Sequence, residues 1–359
     1  MSAQDIEYMA RAIQLARKGL YTTTPNPRVG CVIVNDGQVF GEGYHQIAGQ
    51  AHAEINALNS AGENARGGCA YVTLEPCSHT GKTGPCSDAL IQAGINRVVF
   101  GMEDPNPLVA GRGLEKLSDA GIEVVGPVLE DEARALNLGF IKRMQRKLPY
   151  VRCKLAMSLD GRTAMASGES KWITGPAARE DVQRLRAQSC AIVTGVGTVI
   201  HDEPAMTVRL SGEDRQPLRV VVDSHNRSSE DAEILQQPGK TIIACSENAA
   251  CPASSKKVFW PMSEKNGQVN LLRLLMKLAE EGCNEVLVEA GATLSGAFLS
   301  AGLVDEIIVY MAPKLLGSSA RPLFELPINT MAGQLAVSIK DIRAVGCDWK
   351  ITAVPDPDA

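Results

Sequence analysis

Apolar side chains at Ile6, Met9, Ala10, Ile13 and Ala16 recur close to helical spacing, which predicts an opening helix over 5–18. Residues 22–27 (TTTPNP) break it. An apolar run at 29–34 predicts a buried strand, and Asn35-Asp36-Gly37 a hairpin turn into a second strand near Val39. Helix then alternates with strand: helix 53–61, strand 69–74, helix 87–93, strand 97–100, helix 113–120, strand 122–125 and a long helix over 130–147. Leu148-Pro149 ends that helix. The pattern restarts with strand 151–158, helix 176–187 and strands 190–194 and 218–222. After an uneven polar stretch come strand 241–244, helix 270–281, strand 285–288, helix 294–300 and strand 305–310. The alternation predicts an α/β protein with a mostly parallel sheet, divided into domains at 1–147 and 148–359. No internal repeat is evident, and residues 354–359 (VPDPDA) read as a frayed tail.

Charge and cysteine usage narrow the function classes. Net charge is −5 with a sequence pI near 5.7, which argues against gripping a nucleic-acid backbone and for small-molecule chemistry. Ten cysteines are scattered along 359 residues, unlike a secreted disulfide framework. The acidic N-terminus has no apolar signal region, and no run is long enough to span a membrane. These features predict a reduced, cytoplasmic protein with no membrane or nucleic-acid partner. A homo-oligomer stays open. Cys31 and Cys69 are expected in the core.

One spacing promotes two cysteines. His52-Ala53-Glu54 opens a predicted helix, and Pro76-Cys77 and Pro85-Cys86 follow. One imidazole and two thiolates suit Zn²⁺, and three protein ligands leave a fourth position for water. Glu54 could take a proton from that water without ligating the metal. The arrangement matches the H-x-E…P-C-x-x-C signature of zinc nucleobase deaminases, except that C-x-x-C becomes C-x8-C. A structural site would instead recruit His79 as a fourth ligand, which leaves Glu54 without a use. A tRNA or mononucleotide deaminase would keep the short spacing and, for tRNA, add a basic face.

The runs PNPRVG (25–30), GYH (43–45), HAE (52–54), TLEPCSH (73–79), GKT (81–83) and PC (85–86) resemble the deaminase half of the bifunctional riboflavin-biosynthesis deaminase/reductase family. There the insertion between the cysteines is normal, and Gly84 stands where proline is expected. In the second half, GVGTV (195–199) lacks the third glycine of a Rossmann fingerprint, because Ile200 occupies it. Glu289-Ala290-Gly291 opens a second glycine turn, open to either a phosphate or plain packing. The runs KLAMSLDGRTA (154–164), GESKWIT (168–174), RLR (184–186), GVGTV, DEPAMTVR (202–209), VDS (222–224) and VEAG (288–291) resemble the family's reductase half.

The resemblance implies a cytidine-deaminase-like three-layer N-terminal domain and a dihydrofolate-reductase-like C-terminal domain. It implies zinc-dependent deamination of 2,5-diamino-6-(5-phosphoribosylamino)pyrimidin-4-one, with Zn²⁺ on His52, Cys77 and Cys86 and Glu54 as catalytic residue. NADPH-dependent reduction of ribosyl to ribityl would follow, giving 5-amino-6-(5-phosphoribitylamino)uracil. Asn26, His45 and His79 are expected to line the pyrimidine pocket. NADPH is expected at Ala156, Trp172, Thr198, Asp202, Ser224 and the turn Gly291, Ala292, Thr293, Leu294, Ser295, Gly296 and Ala297. Substrate is expected at Ser170, Arg186, Met206, Arg209 and Glu289, with both arginines gripping the phosphate and Glu289 and Ser170 the hydroxyls.

Overall fold

The structure, a computed structural model, describes residues 2–78, 84–107, 109–252, 255 and 257–356. It divides into two compact units, Met1–Leu148 and Pro149–Ala359.

The first unit runs α1 (Ala3–Ala16), β1 (Gly30–Asn35), β2 (Gln38–Tyr44), α2 (Ala53–Ala61), β3 (Cys69–Val72), α3 (Cys86–Gln92), β4 (Arg97–Phe100), α4 (Arg112–Asp119), β5 (Glu123–Val125), α5 (Glu130–Ala135) and α6 (Leu138–Arg146). Helix α1 starts ahead of the predicted residue 5 because Ser2 and Asp5 form a capping box. Asp5 also accepts from Arg97 Nη1 at 2.7 Å, which fastens the helix start to β4. Positive φ at Asp36 (46°) and Gly37 (74°) makes the β1–β2 connection the expected two-residue turn.

The sheet order is β2-β1-β3-β4-β5. It is mixed rather than mostly parallel, since β1 pairs antiparallel with both β2 and β3, while β3–β4 and β4–β5 are parallel. Alternation along β1 sends Cys31 and Ile33 to the face covered by Ala53, Ala57 and Ala61 of α2. Val32 and Val34 face Met9, Ala12, Ile13 and Ala16 of α1. Helices on both faces make three layers. The α2 side is unusually close: a Cβ at Gly43 would lie 2.3 Å from the Ala53 carbonyl oxygen, and one at Gly41 2.2 Å from that of Ala57. Only glycine lets α2, and the His52 at its start, sit so near β2.

The predicted helix over 130–147 is two helices. Asn137 leaves helical geometry (φ −128°, ψ 25°) because its side chain is committed elsewhere. Its Oδ1 accepts from the Arg28 backbone N–H at 2.8 Å and its Nδ2 donates to the Arg28 carbonyl at 2.9 Å. Arg28 Nη1 in turn donates to the Leu136 carbonyl at 2.8 Å, satisfying an orphan group at the break.

The second unit runs β6 (Tyr150–Ser158), β7 (Arg162–Ala164), α7 (Pro176–Gln188), β8 (Ala191–Gly195), α8 (Val196–Asp202), β9 (Leu218–Val222), α9 (Glu233–Gln236), β10 (Thr241–Ser246), β11 (Val258–Met262), β12 (Glu264–Lys265), β13 (Gln268–Val269), α10 (Leu271–Glu280), β14 (Glu285–Val288), α11 (Ala292–Ser300), β15 (Glu306–Ala312), β16 (Arg321–Pro322), β17 (Val337–Val345) and β18 (Asp348–Pro355). Its nine-stranded sheet has the order β11-β10-β9-β8-β14-β6-β15-β18-β17. The strands from β11 to β15 are parallel, and β18 and β17 add an antiparallel edge. Near-continuous apolar runs such as 191–193 and 286–288 are what a parallel strand buried on both faces requires.

Val354 and Pro355, expected in a frayed tail, instead complete β18, where Val354 pairs with Ser338 and Pro355 with Val337. The β17–β18 hairpin has little apolar alternation to betray it, because seven of the nine β17 residues are exposed. Cys31 is fully buried as expected, whereas Cys69 is only half-buried and lies 3.7 Å from Arg97 Nη1.

Candidate active sites

In the first unit, three chain segments converge at the carboxyl ends of β3 and β4. His52 is the N-cap of α2 and Glu54 stands in that helix's first turn. Cys77 follows β3, and Cys86 is the first residue of α3. The loop between the cysteines is closed by the Cys86 N–H donating to Cys77 Sγ (3.3 Å). It is closed again by Ser87, whose N–H (3.2 Å) and Oγ (3.1 Å) both donate to the Cys77 carbonyl. His52 Nδ1 lies 3.2 Å from Cys86 Sγ and 3.7 Å from Cys77 Sγ. All three ligand atoms fall within 4.8 Å of one another.

The donor set fits zinc. With Zn–S near 2.3 Å and Zn–N near 2.0–2.1 Å, adjacent N and S ligands on a tetrahedral ion lie about 3.6 Å apart. The two N···S separations straddle that value. Among the described residues this is the group of three able to hold a metal ion. His79, a possible fourth ligand or pocket residue, lies outside the described residues.

Glu54 is 3 % exposed, and burial pushes its carboxyl up to about 7. Cys86 and His52 pull the Cys77 thiol down to about 4, so the pair is ready to present a thiolate. Asn26 and His45, expected in the pyrimidine pocket, bond to each other: Asn26 Nδ2 and His45 Nε2 are 3.1 Å apart. His45 Nδ1 faces the Ala51 carbonyl at 3.1 Å, so it must donate there, which leaves Nε2 to accept from Asn26. Burial pushes His45 below its usual range, consistent with this neutral tautomer. Its ring stands edge-on to His52, with centroids 5.4 Å apart.

Glu75 has a positioning part that no residue pattern assigned. Its Oε1 accepts from the Gly113 N–H (2.8 Å), and its Oε2 from those of Gly111 (3.0 Å) and Asp104 (3.1 Å). It thereby ties the loop after β4 to the segment carrying Cys77. The only sequence signal is a carboxylate immediately before Pro76-Cys77.

In the second unit, the carboxyl ends of the neighbouring parallel strands β8 and β14 lead into two glycine turns, the place where open α/β sheets bind ligands. A Cβ at Gly197 would meet nothing within 4 Å, and one at Gly291 only Thr198 Oγ1 at 3.9 Å. The first intrahelical bond of α11 is Ser295 N–H to the Gly291 carbonyl. The N–H groups of Ala292, Thr293 and Leu294 therefore point ahead of the helix, as anion binding requires. This cradle suits a dinucleotide phosphate. Gly296 has a different reason to be glycine, since a Cβ there would lie 2.2 Å from the Glu325 carbonyl oxygen. Thr293 Oγ1 donates to Glu325 Oε2 at 2.8 Å, Ser295 Oγ donates to the Ala290 carbonyl at 3.3 Å, and Leu294 packs beside Gly195. Ala297 lies in the middle of α11, away from that end.

Arg186, expected at the substrate phosphate, is engaged inside the protein. Its Nε (2.9 Å) and Nη2 (2.8 Å) form a bidentate pair with Glu289, and its Nη1 donates to the Thr207 carbonyl at 3.0 Å. Lys154 Nζ adds a second cation 3.5 Å from Glu289 Oε1. Burial alone would raise Glu289, but Arg186 and then Lys154 hold it at about 2. Met206, at φ 51°, packs its sulfur 3.5 Å from Arg186 Nη2. Arg209 keeps one internal bond, Nη1 to Thr207 Oγ1 at 3.1 Å, and is the arginine with donors to spare. Burial and the nearby Arg186 push its pKa down.

Ser170 Oγ donates to Asp202 Oδ1 at 2.8 Å, and Lys171 Nζ to the Asp202 carbonyl at 2.8 Å. Ala156 shares its face of β6 with Lys154. Trp172 is 65 % exposed, with the Arg179 guanidinium 4.7 Å from its ring centre. Ser224 is buried, and its hydroxyl is spent internally on Gln268 Oε1 (2.9 Å) and the Val269 N–H (3.1 Å). A cofactor contact there would have to come through the backbone.

Fold and sites together define a zinc-site deaminase joined in one chain to a reductase. Residues 2–102 match the cytidine and deoxycytidylate deaminase zinc-binding region, and residues 149–351 match the RibD C-terminal domain. The chain is 54% identical to the riboflavin biosynthesis protein RibD of Escherichia coli over 96% of its own length and 98% of the relative's. A solved structure of Acinetobacter baumannii RibD superposes with a TM-score of 0.92 at 47% identity, covering 98% of this chain and 99% of that one. The deaminase/reductase of Thermotoga maritima gives 0.89 at 34% identity, covering 98% and 99%. The chain belongs to the RibD family of bifunctional riboflavin-biosynthesis deaminase/reductases. Zn²⁺ and NADPH are the cofactors of its two activities. Among the described residues, no helix is long and apolar enough to cross a membrane.

Proposed function

We propose that residues 1–147 deaminate 2,5-diamino-6-(5-phosphoribosylamino)pyrimidin-4-one and that 148–359 reduce the ribosyl chain of the product to ribityl. The observation that carries the first half is the convergence of His52, Cys77 and Cys86 beside the buried Glu54. His52, Cys77 and Cys86 hold Zn²⁺, which when bound supplies a water nucleophile ionised near neutral pH. Glu54 takes the proton from the attacking water, gives it to the ring nitrogen, and then serves the leaving amine. Asn26 and His45 are a mutually fixed pair that packs against His52 and shapes the pyrimidine pocket.

In the reductase, NADPH when bound supplies the hydride, and the protein orients the reactants. The N–H groups at the start of α11 face its phosphates, with Thr198, Asp202, Trp172 and Ala156 along its length. Arg209 takes the substrate phosphate. Arg186 fixes Glu289 so that its carboxylate and Ser170 meet the sugar hydroxyls. The test is an assay with the diaminopyrimidine nucleotide that follows ammonia release and NADPH consumption separately. Ammonia is expected without NADPH, and NADPH consumption only after deamination. NADPH consumption that precedes ammonia release would overturn the order.

We also propose a cytoplasmic homo-oligomer. The ten cysteines are scattered along 359 residues rather than clustered as in a small secreted disulfide framework, which supports the compartment. The edge strand β17 exposes Val337, Ile339 and Ile342, and β18 adds Trp349. Such an edge in a nine-stranded sheet invites pairing with another chain. Sedimentation of the native protein should give a multiple of 38.3 kDa, and the double variant Ile339→Lys, Ile342→Lys should fall to the single-chain mass. A native protein already at the single-chain mass removes the oligomer.

A further inference from the structure

Two cysteines that neither activity uses stand together in the second unit. Cys245 is on β10 and fully buried, and Cys251 is six positions later in the connection to β11 and half-buried. Their sulfurs are 3.2 Å apart and both thiols are free. The chain between them is held at both ends. The Ala249 N–H donates to the Ser246 carbonyl at 3.0 Å and the Asn248 N–H to Ser246 Oγ at 3.1 Å. Asn226 Nδ2 fastens the Ala250 carbonyl at 2.8 Å. The backbone thus already keeps the two thiols facing each other. Bond formation would bring the sulfurs from 3.2 Å to about 2.0 Å.

We propose that Cys245 and Cys251 are a modification site, a dithiol that closes to an intramolecular disulfide when a low-molecular-weight disulfide such as oxidised glutathione accumulates. Cys251 attacks as thiolate one sulfur of the small disulfide, forming a mixed disulfide and releasing one small thiolate. Cys245 then gives its proton to water and attacks Cys251 Sγ, which expels the second small thiolate. Two protein thiols lose two electrons and two protons, and one small disulfide becomes two thiols. Burial first, and then the neighbouring Cys251, push the Cys245 thiol up to about 12, which fits Cys251 as the first nucleophile.

The clamped turn touches the cofactor side of the reductase. The Ser246 N–H donates to the Ser224 carbonyl at 3.1 Å, and Asn226 belongs to the loop that follows Ser224. A disulfide would hold this turn and, through it, the end of β9. The effect on NADPH rests on the placement of the cofactor proposed above, whereas the disulfide itself does not.

The experiment treats the full-length zinc-loaded protein with oxidised glutathione and reads thiols by peptide mass. The exposed Cys347 serves as internal reference, since it should carry a glutathione adduct. A Cys245–Cys251 cross-linked peptide about 2 Da below the reduced pair is expected, and a thiol reductant should reverse it. Cys347 modified while Cys245 and Cys251 stay as free thiols, or as separate adducts, would overturn the proposal. In the same samples the reductase KM for NADPH should rise severalfold in the oxidised native protein and stay constant in oxidised Cys251→Ser. A cross-linked protein with unchanged KM would overturn the link to the cofactor end and leave the disulfide established.

Discussion

Replacing Glu54 by Gln is expected to lower ammonia release about 10³-fold, within the range by which positioned acid–base groups contribute. The amide fills the same buried space in the first turn of α2 and keeps one acceptor, but it cannot carry a proton. His52, Cys77 and Cys86 are untouched, so metal analysis should still find one zinc per chain. NADPH oxidation on supplied 5-amino-6-(5-phosphoribosylamino)uracil should proceed at the native rate, because that substrate bypasses the first site. The three readouts separate causes. Loss of zinc would mean that Glu54 supports the ligands rather than the chemistry. Near-native ammonia release with zinc in place would sink the proton-carrier assignment outright.

The metal site was legible because its chemistry constrains residue type and short-range spacing. A zinc deaminase centre needs an imidazole, two thiolates and a nearby carboxylate, and H-x-E with two P-C pairs supplies all four. Strand–helix alternation was equally legible, because parallel strands buried on both faces read as apolar blocks. What escaped depends on partners far along the chain. Asn137 splits a continuous helical pattern because it binds Arg28, 109 positions away. The β17–β18 hairpin was invisible because β17 is exposed on almost every residue. Glu75 looked like part of a motif, and its three backbone donors between 104 and 113 are fixed only by the fold. The internal pairing of Arg186 escaped for the same reason. Its partner Glu289 lies 103 positions on, and the bidentate geometry foreseen for a phosphate is spent on that carboxylate.

That pairing makes Arg186→Gln the most consequential change in the reductase. The arginine and Glu289 are both largely shielded, with side chains 10 % and 13 % exposed. Removing one partner of a buried pair costs about 3–5 kcal/mol, because the remaining charge is left uncompensated. Lys154, 3.5 Å from Glu289, offsets part of this, which puts the expected loss at the lower end of about 3 kcal/mol. The pH dependence follows from the direction of the shift. In the native protein Glu289 is held at about 2, below its ordinary value of 4.5. Its ionic contribution to stability is therefore complete above 4.5 and fades as pH falls toward 2. In the variant, burial acts against Lys154 and the more distant Arg209 without the bidentate Arg186, so the Glu289 pKa rises and that acid-labile contribution shrinks. The stability gap between native and variant should thus be widest near pH 7 and narrow between about 4.5 and 2. Denaturant titrations of the second unit across that range read it directly, and parallel curves would show that Arg186 does not set the Glu289 charge. Reductase turnover should drop by about 10²-fold, since a carboxylate displaced by even 1 Å loses the geometry of the site. Arg186→Lys should restore most of the stability but little of the turnover, because an ammonium supplies charge without the planar fork that orients Glu289.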